Sequence, residues 1–341
     1  MANEKEIALY YPYIDITDAG LIKTAALYWD EIQTIVPQDI YRPYENNLTK
    51  EAEREGFLRK RDVTWYDRAV KRAGDEFIQD IETIAEIRRL LLQQSNNNLL
   101  RTRVYNGKIA LDCRERLLEY FRENIIEEEN AYIMPNVLAH SYMSRLASVI
   151  AKNDRTIPLT DDHFGDSILE SRYLNYSHEQ AKNQAMLAKL SLQIISIDPD
   201  TPLVNIILFR KKHSKELHNL RRKIRQLSRQ IAKGLDNATR QQAFEDLIKD
   251  EIIPAKEEIK AKLNENNLQF LAANIILTVA GCAGVAISGE WFGQIVNAGI
   301  LAGASLIGNI RRERLTVKNH PLGYLYQAQK QFGTNNSMVN N

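Results

Sequence analysis

The chain has 341 residues, a formal net charge of +1, 44% hydrophobic residues and 26% charged residues. That length suggests about two domains at roughly 150 residues each, and the composition excludes global disorder. The balanced charge excludes a whole-chain electrostatic attraction to nucleic acid, and the two cysteines, Cys113 and Cys282, exclude a disulfide scaffold or a four-cysteine zinc site.

The polar start, Met1–Glu6, is not followed by an apolar run of the secretory type, so a cytoplasmic body is expected. Ile7–Ile16 reads as an edge strand or a strand entrance, with Pro12 inside. Asp18 caps a helix predicted from Ala19 to Val36, on the spacing of Leu21, Ala25, Tyr28, Trp29, Ile32 and Ile35; Pro37 ends it. Residues 38–62 read as loop plus a short helix. Trp65–Leu92 reads as one amphipathic helix, with Phe77, Ile81, Ile84 and Leu91 on a single face. A short strand at Leu99–Val104, a helix at Lys108–Asn124, a helix from Pro135 to Lys152 and a strand-like exit at Thr156–Asp162 follow.

The second half reads differently. Leu217, Leu220, Ile224, Leu227 and Ile231 form a heptad-like seam. Around it lie Arg210, Lys211, Lys212, Lys215, Arg221, Arg222, Lys223, Arg225, Arg229 and Lys233, against Glu216 as the one acid. Anionic lipid headgroups and phosphate backbones both suit such a helix, and so does a plain solvated face. Of these positions, Arg210, Lys211, Lys212, Lys215, Arg221, Arg222, Arg225 and Arg229 are the candidate anionic-surface residues. No aromatics interleave with them, which disfavours base stacking.

Leu268–Ser288 and Trp291–Ile310 carry no charge. Each is about 30 Å long as a helix, enough for a hydrocarbon core. Ala280 with Gly284, Ala298 with Ala302 and Gly299 with Gly303 repeat the small-xxx-small spacing that lets helices approach in lipid. Lys256, Lys260 and Lys262 before the pair, and Arg311, Arg312 and Arg314 after it, place both ends on the cytoplasmic side, which implies inner-membrane association through residues 268–310. A hairpin buried in a soluble core fits the same Gly/Ala pattern.

The expected fold is mainly α with a small β component. It comprises an α-rich (α+β) domain over 1–200, long basic helices over 201–266, an apolar helical hairpin over 267–310 and a C-terminal segment over 311–341 with a disordered tail.

The chain shows no P-loop, nucleophile elbow or dinucleotide fingerprint. Neither a cofactor nor a metal is expected, and a non-enzymatic role is preferred. The one enzyme-like string is Thr160-Asp161-Asp162-His163-Phe164. It resembles the late acidic motif of PIN-type metal-dependent nucleases, which implies Asp15 as its partner; no third carboxylate stands at a clearly matching position, and Glu119 and Glu123 are the candidates for it. A turn capped by Asp161 is the simpler alternative.

Four blocks carry a broader resemblance: Ala8–Ile14, Ala26–Asp30 with Ile35–Pro37, Tyr142–Ala147 with Pro158–Asp161, and Phe209–His213 with Glu216-Leu217. Together they resemble an uncharacterised bacterial family of unknown function met in mobile-element and phage-defence settings. The resemblance covers residues 7–235. It implies a bacterial cytoplasmic body and a defence role. Combined with the basic helix and the apolar stretches, the leading reading is a defence-type effector with a sensing or interaction domain and a membrane-active hairpin, with self-association or a protein partner; the alternative is a soluble interaction protein whose hairpin is core.

Overall fold

The computed structural model describes residues 5–97, 100–160, 197–231 and 323–332, with positions 187, 239, 242–243, 246–247 and 250–251. The chain is an α+β mix in two units, one of residues 1–22 and 29–182, the other of residues 23–28 and 183–341.

The first unit is built on a four-stranded parallel sheet in the order β3-β2-β1-β7. The strands are β1 (Ile7–Tyr10), β2 (Glu31–Pro37), β3 (Leu58–Val63) and β7 (Ile157–Leu159). Tyr10 stands opposite Thr34 on one side and Leu159 on the other, and Thr34 opposite Lys60. Between the strands run α1 (Ala19–Tyr28), α2 (Asn47–Arg54), α3 (Arg68–Thr83), α4 (Ala85–Asn97), α5 (Leu111–Phe121) and α6 (Asn136–Asp154). A second, antiparallel sheet orders β4 (Arg101–Tyr105), β6 (Ala131–Pro135) and β5 (Ile126–Glu127) as β4-β6-β5.

Three expectations are corrected by the structure. Ile7–Ile16 is not an edge strand: β1 is central, and Pro12 lies past its end, where no ladder donor is needed. The predicted helix over residues 19–36 stops at Tyr28, and Glu31–Pro37 is a strand. Ile32, Ile35 and Val36 are all fully buried. A parallel strand covered on both faces shows a nearly continuous apolar run, which mimics helical spacing over a few residues. The β-branched Ile32, Thr34, Ile35 and Val36 favour the strand.

The helix predicted over residues 65–92 is two helices, broken at Ile84, whose backbone leaves the helical region (φ −113, ψ 88). Asp67 caps α3 by accepting from the Ala69 N–H at 2.7 Å.

One face of the sheet contributes Leu9, Ile35 and Val63 to a core with Phe77 and Ile81 of α3, Leu117 and Phe121 of α5, and Leu146 and Ile150 of α6. Each such side chain contributes about 1.5–3 kcal/mol by leaving water. α3 and α5 approach closely at Gly74, where a Cβ would fall 2.9 Å from the Cys113 Cβ.

The second unit contains α7 (Leu203–Lys212), α8 (Ser214–Ser228) and α9 (Gly323–Phe332), together with the α1 residues Lys23–Tyr28. Leu217, Leu220, Ile224, Leu227 and Ile231 are all buried. Phe209 stacks among His213, Tyr324 and Phe332, with ring centroids 4.4–5.4 Å away.

Candidate functional site at the carboxyl edge of the parallel sheet

From β1 the chain steps to β2 and β3 on one side, while β7 lies on the other side of β1. Strand order therefore reverses between β1 and β7. In open parallel sheets, ligands enter the crevice beyond the carboxyl ends of the strands at such a reversal. The segments leaving the strands at this edge carry all the exposed aromatic residues among those described: Tyr13 after β1, Tyr41 after β2, and Trp65 and Tyr66 after β3.

Tyr13 belongs to a hydrogen-bonded series. Its hydroxyl lies 3.3 Å from His140 Nε2, with the two rings edge to face at 5.7 Å. The same Nε2 lies 3.3 Å from Thr102 Oγ1, which donates to Asn136 Oδ1 at 2.7 Å. Because the Thr102 hydrogen goes to Asn136, Thr102 Oγ1 can meet Nε2 only as an acceptor. Tyr13 is 40% exposed and His140 4%, so the series runs from surface to interior.

Asp15 ties the segment after β1 to the segment after β2. Its Oδ2 accepts from the Glu45 and Asn46 N–H groups, each at 2.8 Å, just ahead of α2. Its Oδ1 is buried and makes no hydrogen bond. A buried oxygen of this kind marks a place for a water or a cation. Asp161 and Asp162 fall outside the described residues; they follow Leu159, the last residue of β7, within three positions. Among the described residues, no three of His, Cys, Asp and Glu come together to hold a metal. Glu119 is instead drawn to Arg116, 2.7 Å away, and does not join Asp15. Glu123 is exposed and does not join it either.

Two further buried groups lie in this unit. Lys108, 2% exposed, ends a short 3-10 turn over Asn106–Lys108. Gly107 in that turn sits so close to Pro37, at the end of β2, that a Cβ would fall 2.8 Å from the proline Cβ. The Tyr142 hydroxyl donates to the Lys108 carbonyl at 2.7 Å. Burial lowers the Lys108 amine from 10.5 to about 7. Burial pushes the Cys113 thiol up to about 12, which makes it an inert core group. The sequence pointed to neither Tyr13–His140 nor Lys108: their partners are up to 127 residues away, and no local spacing signals them.

The basic residues of the second unit separate into two groups. Arg210 and Arg221 are 7% and 9% exposed, and both turn inward. Arg210 donates to the Ala26 carbonyl at 3.0 Å, and Arg221 Nε to the Tyr28 carbonyl at 3.0 Å. Lys211, Lys212, Lys215, Arg222 and Arg229 are exposed, and Arg225 is partly buried. Ala280, Gly284, Ala298, Gly299, Ala302 and Gly303 lie outside the described residues. Among the described residues, no helix is long and apolar enough to cross a membrane.

The chain belongs to the family of unknown function DUF6236, whose model matches residues 19–333. The DUF6236 match starts at the first residue of α1, runs through α9 and takes in both uncharged stretches. It reaches well past residue 235, where the resemblance read from the sequence ends. No curated protein and no solved structure matches the chain.

Proposed function

We propose that this chain is a two-part recognition protein of the defence-effector type. The first unit binds its ligand in the crevice between the β1 and β7 ends, and the C-terminal part, with its uncharged stretches 268–288 and 291–310, acts on a membrane. The observation that carries the recognition half is the reversal of strand order at β1, with the Tyr13–His140 pair standing at the same edge. Tyr13 offers an exposed aromatic ring with a polar hydroxyl at its tip, and Asp15 offers one unused carboxylate oxygen. Such a mixture suits a flat polar ligand such as a nucleobase or nucleotide. The test is the melting temperature of the full chain with mono- and dinucleotides and short RNA and DNA oligomers. A ligand that raises it, and fails to do so with Tyr13→Phe or His140→Gln, supports the reading. A rise that both variants retain contradicts it, as does no rise with any ligand.

A second reading, a PIN-type nuclease, is favoured by one specific placement. Asp15 follows β1, and Asp161-Asp162 follow β7, its parallel neighbour. Asp15 Oδ1 and the carboxylates of Asp161 and Asp162 are the groups that would hold a divalent cation, which supplies an activated water for phosphodiester cleavage. Asp15 Oδ2 would keep its two backbone N–H groups and fix the carboxylate. Cleavage of RNA or DNA by the full chain with Mg²⁺ or Mn²⁺, lost in Asp161→Asn, is the expected result. Equal cleavage by the variant, or none by either, sinks this second reading.

A further inference from the structure

Helices α7 and α8 carry an exposed line of positive charge. Lys211, Lys212, Lys215, Arg222 and Arg229 are exposed, and among the described residues none of them forms an ion pair. Lys215, Arg222 and Arg229 recur every seven residues, two turns of helix, so they share one side of α8 and its cap. The buried seam of Leu217, Leu220, Ile224 and Leu227 takes the opposite side. From Lys215 to Arg229 the line is about 21 Å long at 1.5 Å per residue. Glu216, the acid in this segment, is partly buried and lies 3.6 Å from His213 Nδ1, so it does not neutralise the line. Lys223 is engaged with Glu251 at 2.6 Å. Leu208, one helical turn before Lys211 and Lys212, is the exposed large hydrophobic residue of this unit among those described.

We infer that this line docks the chain on an anionic lipid bilayer, with the lysine and arginine heads on headgroup phosphates and Leu208 entering the headgroup region. A basic face bordered by an exposed leucine is the pattern of an interfacial helix. No aromatic side chain lies along the line to stack on bases, which disfavours a nucleic acid strand. The inference rests on the membrane half of the proposed function. It adds the docking surface and removes Arg210 and Arg221 from it, since their guanidinium groups are buried on helix carbonyls.

The test is co-sedimentation of the full chain with vesicles of mixed phosphatidylglycerol and phosphatidylcholine, and with phosphatidylcholine alone, at about 0.1 M salt. Wild type should bind the mixed vesicles only. A triple variant, Lys211→Gln with Lys215→Gln and Arg222→Gln, should bind about a hundredfold more weakly, at about one kcal/mol per lost charge. Lys50→Gln with Lys71→Gln and Arg122→Gln makes the same change in net charge at exposed positions of the first unit and should bind like wild type. The charge-retaining pair Lys211→Arg with Lys215→Arg should also bind like wild type, which separates lost charge from lost folding. Equal sedimentation of wild type and the triple variant overturns the inference. So does wild-type binding that ignores phosphatidylglycerol, or a triple variant that loses only binding to an oligonucleotide. A wash at about 1 M salt reports insertion separately. Protein released by the wash was docked without insertion, so failure of the hairpin reading and failure of the docking surface give different results.

Discussion

Arg221 donates through Nε to the Tyr28 carbonyl at 3.0 Å, and its guanidinium carbon lies 5.4 Å from the centre of the Tyr28 ring. It is one of three groups that close the end of α1. Arg210 takes the Ala26 carbonyl, and the Tyr324 hydroxyl donates to the Leu27 carbonyl at 2.6 Å. The last carbonyls of a helix have no partner within it and carry the negative end of its dipole. Two buried cations and a buried hydroxyl supply both the donors and the matching charge. Replacing Arg221 by Met should therefore cost about 2–3 kcal/mol, Arg210→Met a similar amount, and Tyr324→Phe about 1 kcal/mol. Urea unfolding checks this. Losses near zero would return the two arginines to the surface that the sequence assigned them.

Lys108 makes stability depend on pH in a definite direction. Its folded amine titrates at about 7 against an ordinary 10.5. Below about 7 it is charged in both states, and the full desolvation cost is present. Between about 7 and 10.5 only the unfolded chain holds the proton, so this group's contribution makes the fold more stable as pH rises. Lys108→Met should stabilise the protein by a few kcal/mol at pH 7 and below. The advantage over wild type should shrink steadily toward pH 10.5. Stability curves of the two proteins across that range give the difference directly, and a constant difference would contradict the assignment.

Gly74→Ala should destabilise, although alanine is the better helix former by about 1 kcal/mol. The new Cβ would stand 2.9 Å from a Cβ fixed to the α5 backbone, so the helices must separate rather than a side chain swing away. Overpacking of that kind costs about 1–3 kcal/mol and outweighs the gain in propensity. A midpoint for Gly74→Ala above that of wild type would show that the α3–α5 contact is looser than described.

Tyr13→Phe removes the hydroxyl that meets His140 Nε2 and leaves the ring in place. At a 40% exposed position the stability cost should be within about 1 kcal/mol. His140→Leu should cost more, about 1–3 kcal/mol, because Thr102 would lose a partner in the interior. Any ligand of the crevice should be weakened by both changes. A variant pair that loses stability but binds unchanged would make the Tyr13–His140 pair a purely structural contact.

Much of the fold was legible where the pattern was local. The helix capped at Asp18, the Pro135 entry into α6 and the exit strand β7 came from caps, prolines and apolar spacing. β2 was not, because a strand buried on both faces has no alternation to read. β3 was hidden by its charges: Arg59, Arg61 and Asp62 make Leu58–Val63 look like a loop, yet Arg59 pairs with buried Glu31 at 3.3 Å and Arg61 with Asp154 at 2.5 Å. At the candidate site, Asp15 was visible as an acid after the first strand. The His140 contact was not, since it joins segments that only the fold brings together. The basic helix was visible as a charge run, but sorting inward arginines from outward lysines needed the position of α1.

The most direct test of the two-part account is the membrane potential of bacterial cells that express the chain and are challenged with phage, followed with a voltage-sensitive dye. The account predicts that wild type depolarises the membrane after infection, while Tyr13→Phe with His140→Gln, expressed at the same level, does not. A wild-type chain that leaves the potential unchanged, or a double variant that depolarises as fully as wild type, contradicts it.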